Sequence, residues 1–119
     1  MKKILIVEDE KTIARPLTLK LKYSGFEVQN AYDGQEALDV LAKSKFDLII
    51  LDLVMPKVNG FEVLEKLKEQ HSKTPVIVVS NLNQEEDIAK AKSLGADYFL
   101  KTEVFGQGFL ATVKKTLNL

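Results

Sequence analysis

The sequence predicts an α/β fold of the doubly wound (βα)5 type, in which helices cover both faces of a five-stranded parallel sheet. Short apolar runs recur at regular intervals along the 119 residues, and stretches of helical periodicity separate them. Three of these runs consist only of Ile, Leu and Val, which is typical of strands that are buried on both faces. Regular alternation of strand and helix implies parallel strands joined by right-handed crossovers.

The elements follow one another without a linker or a repeat. The predicted strands are residues 4–7, 26–31, 48–51, 76–79 and 98–100. The helical stripes between and after them contain Leu17 and Leu21, then Ala37, Leu38 and Leu41, then Phe61, Leu64 and Leu67, then Ile88, Ala91 and Leu94, then Phe109, Val113 and Leu117. Gly25 and Gly95 each follow a helical stretch, where a left-handed residue often ends a helix. Asn59, Asn83 and Thr102 are predicted N-caps.

The amino-acid composition is typical of a soluble globular protein and excludes several other classes. Hydrophobic residues make up 45% of the chain and charged residues 29%, as in a soluble globular domain. Basic and acidic residues number 17 each, so we expect no direct binding of nucleic acid. The absence of cysteine excludes disulfides and thiolate chemistry. The N-terminal apolar run is too short for a signal peptide, and no apolar run in the sequence is long enough to span a membrane. We therefore expect one cytoplasmic domain over residues 1–119.

Reactive side chains follow four of the predicted strands. They are Glu8, Asp9 and Glu10 after the first strand, Asp52 after the third, Ser80 at the end of the fourth and Lys101 after the fifth. In an open parallel sheet, ligands bind outside the carboxyl ends of the strands, where the strand order reverses. If the order is 2-1-3-4-5, Glu8 or Asp9 faces Asp52. Clustered carboxylates without His or Cys favour a hard cation, Mg²⁺ more than Ca²⁺, and Lys101 adds a further positive charge.

These residues carry a resemblance to a known family. The pattern consists of Glu8-Asp9, Asp52 followed by Leu53, Met55 and Pro56, then Gly60, Ser80 and Lys101. In order and spacing it resembles the receiver domain of two-component response regulators, including the chemotaxis receivers, over essentially the whole chain. The resemblance implies a flavodoxin-like sheet of order 2-1-3-4-5. It also implies phosphoryl transfer onto Asp52 from a sensor histidine kinase or a phosphotransfer protein. Such a domain phosphorylates and dephosphorylates itself and is not an enzyme that turns over an independent substrate.

The resemblance assigns a metal site to the first acids and the phosphoacceptor. The side chains of Asp9 and Asp52 and the backbone carbonyl of Val54 would bind Mg²⁺, for which Mn²⁺ can substitute. Glu8 would act mainly through water.

The resemblance also assigns the contacts that stabilise and transmit the phosphoryl group. Lys101 would pair with one phosphoryl oxygen, and the Ser80 hydroxyl would donate a hydrogen bond to another. Ser80 and Tyr98 would then act as the switch that alters the face formed by the fourth helix, the fifth strand and the fifth helix. That face would control a partner or an effector domain, and it could form a homodimer.

One residue departs from the usual pattern, and two further residues occupy positions that vary within the family. Thr102 follows the lysine where proline, joined by a cis bond, is common; a cis bond before a non-proline residue costs about 2.5–4 kcal/mol. Val54 and Leu82 occupy the positions that flank the site and modulate rates. Because neither side chain can hydrogen-bond an attacking water, we predict a long-lived acyl phosphate.

Alternative interpretations remain open at this point. Each residue alone has a simpler explanation, such as a solvated acidic loop or a surface lysine, and only their joint occurrence is specific. A haloacid-dehalogenase-like phosphatase would need a second Asp where Val54 stands, and a flavin-binding protein would need a phosphate-binding loop in place of the Glu8-Asp9-Glu10 run. A receiver-shaped scaffold that is never phosphorylated is the third alternative. The sequence does not distinguish a stand-alone receiver from the regulatory part of a longer protein.

Overall fold

The structure is a computed structural model that describes residues 1–55, 57–82 and 84–119. Its five parallel strands form one sheet of order β2-β1-β3-β4-β5, which confirms the predicted fold class. The strands are β1 (Lys3–Val7), β2 (Glu27–Ala31), β3 (Leu48–Leu51), β4 (Val76–Ser80) and β5 (Asp97–Leu100). The helices are α1 (Lys11–Tyr23), α2 (Gly34–Lys43), α3 (Gly60–Glu69), α4 (Glu85–Ser93) and α5 (Gln107–Thr116), with a short 3-10 helix at Lys101–Glu103.

Apolar side chains fill both faces of the sheet. Along β1, Ile4 and Ile6 lie in the core that includes residues of α1 and α5, whereas Leu5 and Val7 lie in the core that includes residues of α2, α3 and α4. All four side chains are at most 1% exposed, as expected for a central strand covered on both sides. None of the helices in the described ranges is long and apolar enough to cross a membrane.

Several predicted helix ends are confirmed. Gly25 and Gly95 have φ angles of 97° and 91°, a left-handed conformation that glycine adopts without a steric cost. The Asn59 side chain caps α3 by accepting a hydrogen bond from the Glu62 N–H at 3.0 Å. The predicted cap Asn83 and the Pro56 of the resemblance lie outside the described residues.

The prediction that Thr102 caps the last helix is wrong. Thr102 lies inside the 3-10 helix, and α5 begins only at Gln107, after the extended residue Gly106. The Glu103 carboxylate accepts a hydrogen bond from the Leu100 N–H at 2.7 Å, which stabilises this additional turn. The Lys101–Thr102 peptide bond is trans, as are the other peptide bonds of the described segments.

Candidate functional site

The carboxyl ends of β1 and β3 bring the first acids next to Asp52. Val7 pairs with Leu51 in the parallel ladder, and the Asp52 N–H extends it by donating to the Val7 carbonyl at 2.9 Å. On the other side of β1, the Glu8 N–H donates to the Ala31 carbonyl at 3.0 Å. Because these bonds fix the backbone, Glu8 and Asp52 are presented at the same edge of the sheet by two rigid, neighbouring strands.

The segment that follows Asp52 packs tightly against the start of α3. A Cβ atom placed on Gly60 would lie only 2.2 Å from the Asp52 carbonyl oxygen and 2.6 Å from the Leu53 Cα. The Gly60 N–H donates to the Leu53 carbonyl at 2.9 Å. Gly60 therefore permits a close approach of two backbone segments that also positions Asp52.

Lys101 lies at the centre of the acidic group. It begins the 3-10 helix directly after β5, and only 7% of its surface is exposed. Its Nζ atom is 2.6 Å from Glu10 Oε1 and 3.0 Å from Glu8 Oε1. The Asp52 Oδ2 atom lies 3.2 Å from the same nitrogen. One buried ammonium group thus contacts three carboxylates.

One ammonium group does not satisfy all the carboxylate oxygens in this site. Glu8 and Asp52 are 3% and 2% exposed, yet burial of an ionised carboxylate is costly unless it is paired and hydrogen-bonded. Within the described residues, Asp9 Oδ1 and Asp52 Oδ2 are buried without a hydrogen-bond partner. Each of Glu8, Asp9, Glu10 and Asp52 offers one oxygen within 4.8 Å of the others. Clustered carboxylate oxygens at this spacing, two of them without a hydrogen bond, fit a hard divalent cation such as Mg²⁺.

The electrostatics of the group show the same excess of negative charge. Burial, reinforced by the charge of Asp52, raises the pKa of Glu8 from 4.5 to about 8. Burial also raises the pKa of Asp52, although Lys101 partly offsets it. Burial lowers the pKa of Lys101, but its contacts with Glu10, Glu8 and Asp52 outweigh burial and raise the pKa above its usual value. Lys101 therefore stays charged, while the two buried acids retain protons more strongly than usual.

Ser80 and Tyr98 are linked through Leu82. Ser80 is the last residue of β4 and fully buried, and its Oγ atom accepts a hydrogen bond from the Leu82 N–H at 3.2 Å. The half-buried Tyr98 of β5 donates its hydroxyl hydrogen to the Leu82 carbonyl at 2.5 Å, and burial raises its pKa. A movement of the segment after β4 would therefore change both side chains together.

The two predicted rate-modulating residues differ in exposure. Val54 is 59% exposed, and its N–H donates to Asp52 Oδ1 at 3.3 Å. Leu82 is half-buried. The roles assigned to the Val54 carbonyl and to both side chains stay predictions.

The structure brings Glu8, Asp9, Asp52 and Lys101 together, as the strand-end pattern indicates. Neither the strand-end pattern nor the resemblance assigns a role to Glu10, although Glu10 makes the shortest contact with Lys101. The signal that could have identified it is its place in the Glu8-Asp9-Glu10 run, directly after a strand and immediately before α1.

Known sequences match nearly the whole length of this chain. The family model described as "Response regulator receiver domain" matches residues 4–113. The response regulator ArlR of Staphylococcus aureus is 38% identical over 118 residues, which cover 99% of this chain and 53% of ArlR. This chain thus spans about half the length of the curated relatives that it matches.

Solved structures match the fold over its full extent. The receiver domain of the Francisella response regulator 1452 superposes with a TM-score of 0.92 at 29% identity, covering 99% of this chain and 98% of that one. The Vibrio cholerae chemotaxis protein CheY4 gives a TM-score of 0.84 at 31% identity, covering 98% of each chain.

Proposed function

The chain belongs to the response regulator receiver domain family of two-component signalling, and from that premise we propose that it accepts a phosphoryl group on Asp52. The observation that carries the proposal is the position of Asp52 Oδ2. This oxygen is buried without a hydrogen bond among the described residues, and it lies 3.2 Å from the Lys101 ammonium. A carboxylate held in this way can act as a nucleophile toward phosphorus, beside a cation that neutralises charge developing on the phosphoryl oxygens.

The proposed reaction is an exchange of one bond to phosphorus for another. A carboxylate oxygen of Asp52 attacks the phosphorus of a phosphohistidine in a sensor histidine kinase or a phosphotransfer protein. The P–N bond breaks as the P–O bond forms, and the imidazole that leaves takes a proton from solvent. Lys101 pairs with one phosphoryl oxygen and the Ser80 hydroxyl donates to another, so the contribution of the protein is mainly positioning and charge neutralisation.

The donor set is suited to Mg²⁺, with Mn²⁺ as a possible substitute. Asp9 and Asp52 would supply carboxylate oxygens, the Val54 carbonyl a third ligand, and Glu8 a contact through water. The buried Asp9 Oδ1 and Asp52 Oδ2 atoms, which have no hydrogen bond among the described residues, support this assignment. When bound, the cation supplies positive charge to the phosphoryl oxygens. Asp9 itself would orient the cation, while the charge of Lys101 partly offsets the rise in the pKa of Asp52 that burial causes.

The proposed output begins at Ser80 and Tyr98. A hydroxyl that turns toward the phosphoryl group would give up its bond to the Leu82 N–H, and that segment also holds Tyr98. The change would shift a two-state equilibrium at the face of α4, β5 and α5. A partner protein, a second copy of the chain or an effector domain would respond to that face. We propose that residues 1–119 form this one receiver domain, that it acts in the cytoplasm, and that it does not itself bind nucleic acid.

Beryllofluoride, a non-covalent mimic of the phosphoryl group, tests this proposal at equilibrium. With Mg²⁺ present, the mimic should raise the unfolding temperature of the wild type but not of Asp52→Asn. Asp97→Asn is the matched control because this exposed carboxylate begins β5, at the opposite end of the strand from Lys101. An equal response of the wild type and Asp52→Asn would overturn the proposal and favour a scaffold that is never phosphorylated.

A further inference from the structure

The closest partner of Lys101 is a residue outside the predicted site. Lys101 Nζ is 2.6 Å from Glu10 Oε1, nearer than to either Glu8 or Asp52. An ammonium group has three N–H donors and no acceptor. In the unphosphorylated protein, the shortest contact of this ammonium is therefore made with a side chain that is neither the phosphoacceptor nor an assigned metal ligand.

Glu10 also differs from the other two partners in its freedom to leave. Glu8 and Asp52 are buried at the ends of β1 and β3, whereas the Glu10 side chain is 48% exposed. Glu10 holds the N-cap position of α1, but its side chain makes no capping hydrogen bond. Its carboxylate is thus already in contact with water and can turn away from Lys101 without breaking a helix cap.

A phosphoryl group on Asp52 would compete directly for the same ammonium. It adds nearly two negative charges and three strong acceptor oxygens beside Nζ. Among the described residues, Lys101 Nζ donates hydrogen bonds to Glu8 and Glu10, so a phosphoryl oxygen that draws the ammonium toward Asp52 weakens its contact with Glu10. The new charge also repels Glu10, so this half-exposed carboxylate is the one expected to move.

We propose that Glu10 is a positioning residue that holds Lys101 in the unphosphorylated site and slows phosphorylation by competing with the incoming phosphoryl group. This inference rests on the proposed function of Asp52. Glu10 acts through Lys101 and does not touch the reacting atoms. Release of Glu10 accompanies formation of the Asp52 phosphate.

Two variants separate the contact from the charge. Glu10→Gln keeps the size of the side chain and removes its charge. Glu10→Asp keeps the charge but shortens the side chain by one methylene group, which withdraws the carboxylate from Nζ. Both should increase the initial rate of phosphorylation by acetyl phosphate at saturating Mg²⁺. Because half-exposed ion pairs are weak, the expected increase is about two- to fivefold.

Beryllofluoride affinity provides a second measurement at equilibrium. The same two variants should bind the mimic about two- to fivefold more tightly, since binding no longer breaks the contact with Glu10. The Mg²⁺ affinity of Glu10→Asp, measured by calorimetry without a phosphodonor, should stay within about twofold of the wild type, because the charge is kept.

The other outcomes each overturn the inference. A faster rate of phosphorylation in Glu10→Gln alone would show that the negative charge of Glu10, and not its contact with Lys101, slows the reaction. A faster rate in Glu10→Asp alone would contradict competition by charge. Slower phosphorylation with weaker Mg²⁺ binding would make Glu10 part of the metal site. If the wild type is phosphorylated and both Glu10 variants are phosphorylated at the same rate as it, this inference alone is overturned. A wild type that is not phosphorylated would overturn the proposed function as well.

Discussion

Replacing Glu8 with Gln should make the metal-free protein more stable at pH 8 while changing its stability little near pH 4.5. The folded state raises the pKa of Glu8 from 4.5 to about 8, mainly through burial and secondarily through the charge of Asp52. The folded protein therefore holds this proton more tightly than the unfolded chain does. The stabilisation is complete below pH 4.5 and is lost as the pH rises through about 8. Gln carries no titrating proton and loses nothing over this range.

The size of the effect follows from the two proton affinities. Each tenfold difference in proton affinity corresponds to about 1.4 kcal/mol of free energy. The rise in the pKa of Glu8 from 4.5 to about 8 therefore corresponds to at most about 5 kcal/mol of folding stability. Small movements that bring water to the ionised carboxylate reduce this figure, and we expect about 2–4 kcal/mol at pH 8. An effect of this size is a large fraction of the stability of an ordinary domain.

Urea unfolding in EDTA at several values between pH 4.5 and pH 8.5 measures this difference directly. The free energy of unfolding of Glu8→Gln minus that of the wild type should grow with pH. Glu69→Gln, which removes an exposed carboxylate at the end of α3, is the control and should show no such growth. A Glu8→Gln variant that is equally destabilised at every pH would refute the reasoning, because it would show that the Glu8 carboxylate contributes mainly as a favourable ion pair.

Three further predictions concern the segments around the site. Gly60→Ala should destabilise the protein by about 3 kcal/mol or more and abolish phosphorylation, since its Cβ would lie 2.2 Å from a backbone oxygen. Gly108→Ala is the control: apart from its chain neighbours and its own helix backbone, no described atom lies within 4 Å of the added Cβ, and this variant should be stabilised by about 0.5–1 kcal/mol in urea unfolding. Lys57→Gly should stabilise by about 1 kcal/mol because Lys57 has a φ of 64°, and the strain explanation fails if alanine there stabilises equally. Val54→Asn and Leu82→Glu should each shorten the lifetime of the acyl phosphate in a dephosphorylation time course, and unchanged lifetimes would contradict the assigned roles.

The sequence predicted the fold because the signals for a buried parallel sheet are local. β3, with its run Leu48–Leu51, was predicted to the residue, since a continuous apolar strand flanked by polar residues leaves little freedom in its limits. Lys101 and Asp52 could be placed together because parallel strands all end at one edge of the sheet. Neither inference required knowledge of a single side-chain conformation.

Features that depend on tertiary contacts were not predictable in the same way. Glu10 lies 91 residues before Lys101, and no periodicity in the sequence indicates that their side chains meet. Thr102 has the residue type of an N-cap, but the hydrogen bond that the Leu100 N–H donates to the Glu103 carboxylate favours a 3-10 turn at that point. Lys57 has a left-handed backbone conformation that its residue type disfavours, so nothing in the sequence indicates it.

The central claim, that Asp52 is the phosphoacceptor, is tested most directly by locating a phosphoryl group on the protein. The wild type would be incubated with acetyl phosphate and Mg²⁺, and its intact mass and fragment masses would be measured. We predict one phosphoryl group on the peptide that contains Asp52 in the wild type and in Asp97→Asn, and none in Asp52→Asn or in the presence of EDTA. A phosphoryl group that persists in Asp52→Asn, or a wild type that remains unmodified with Mg²⁺, would contradict the claim.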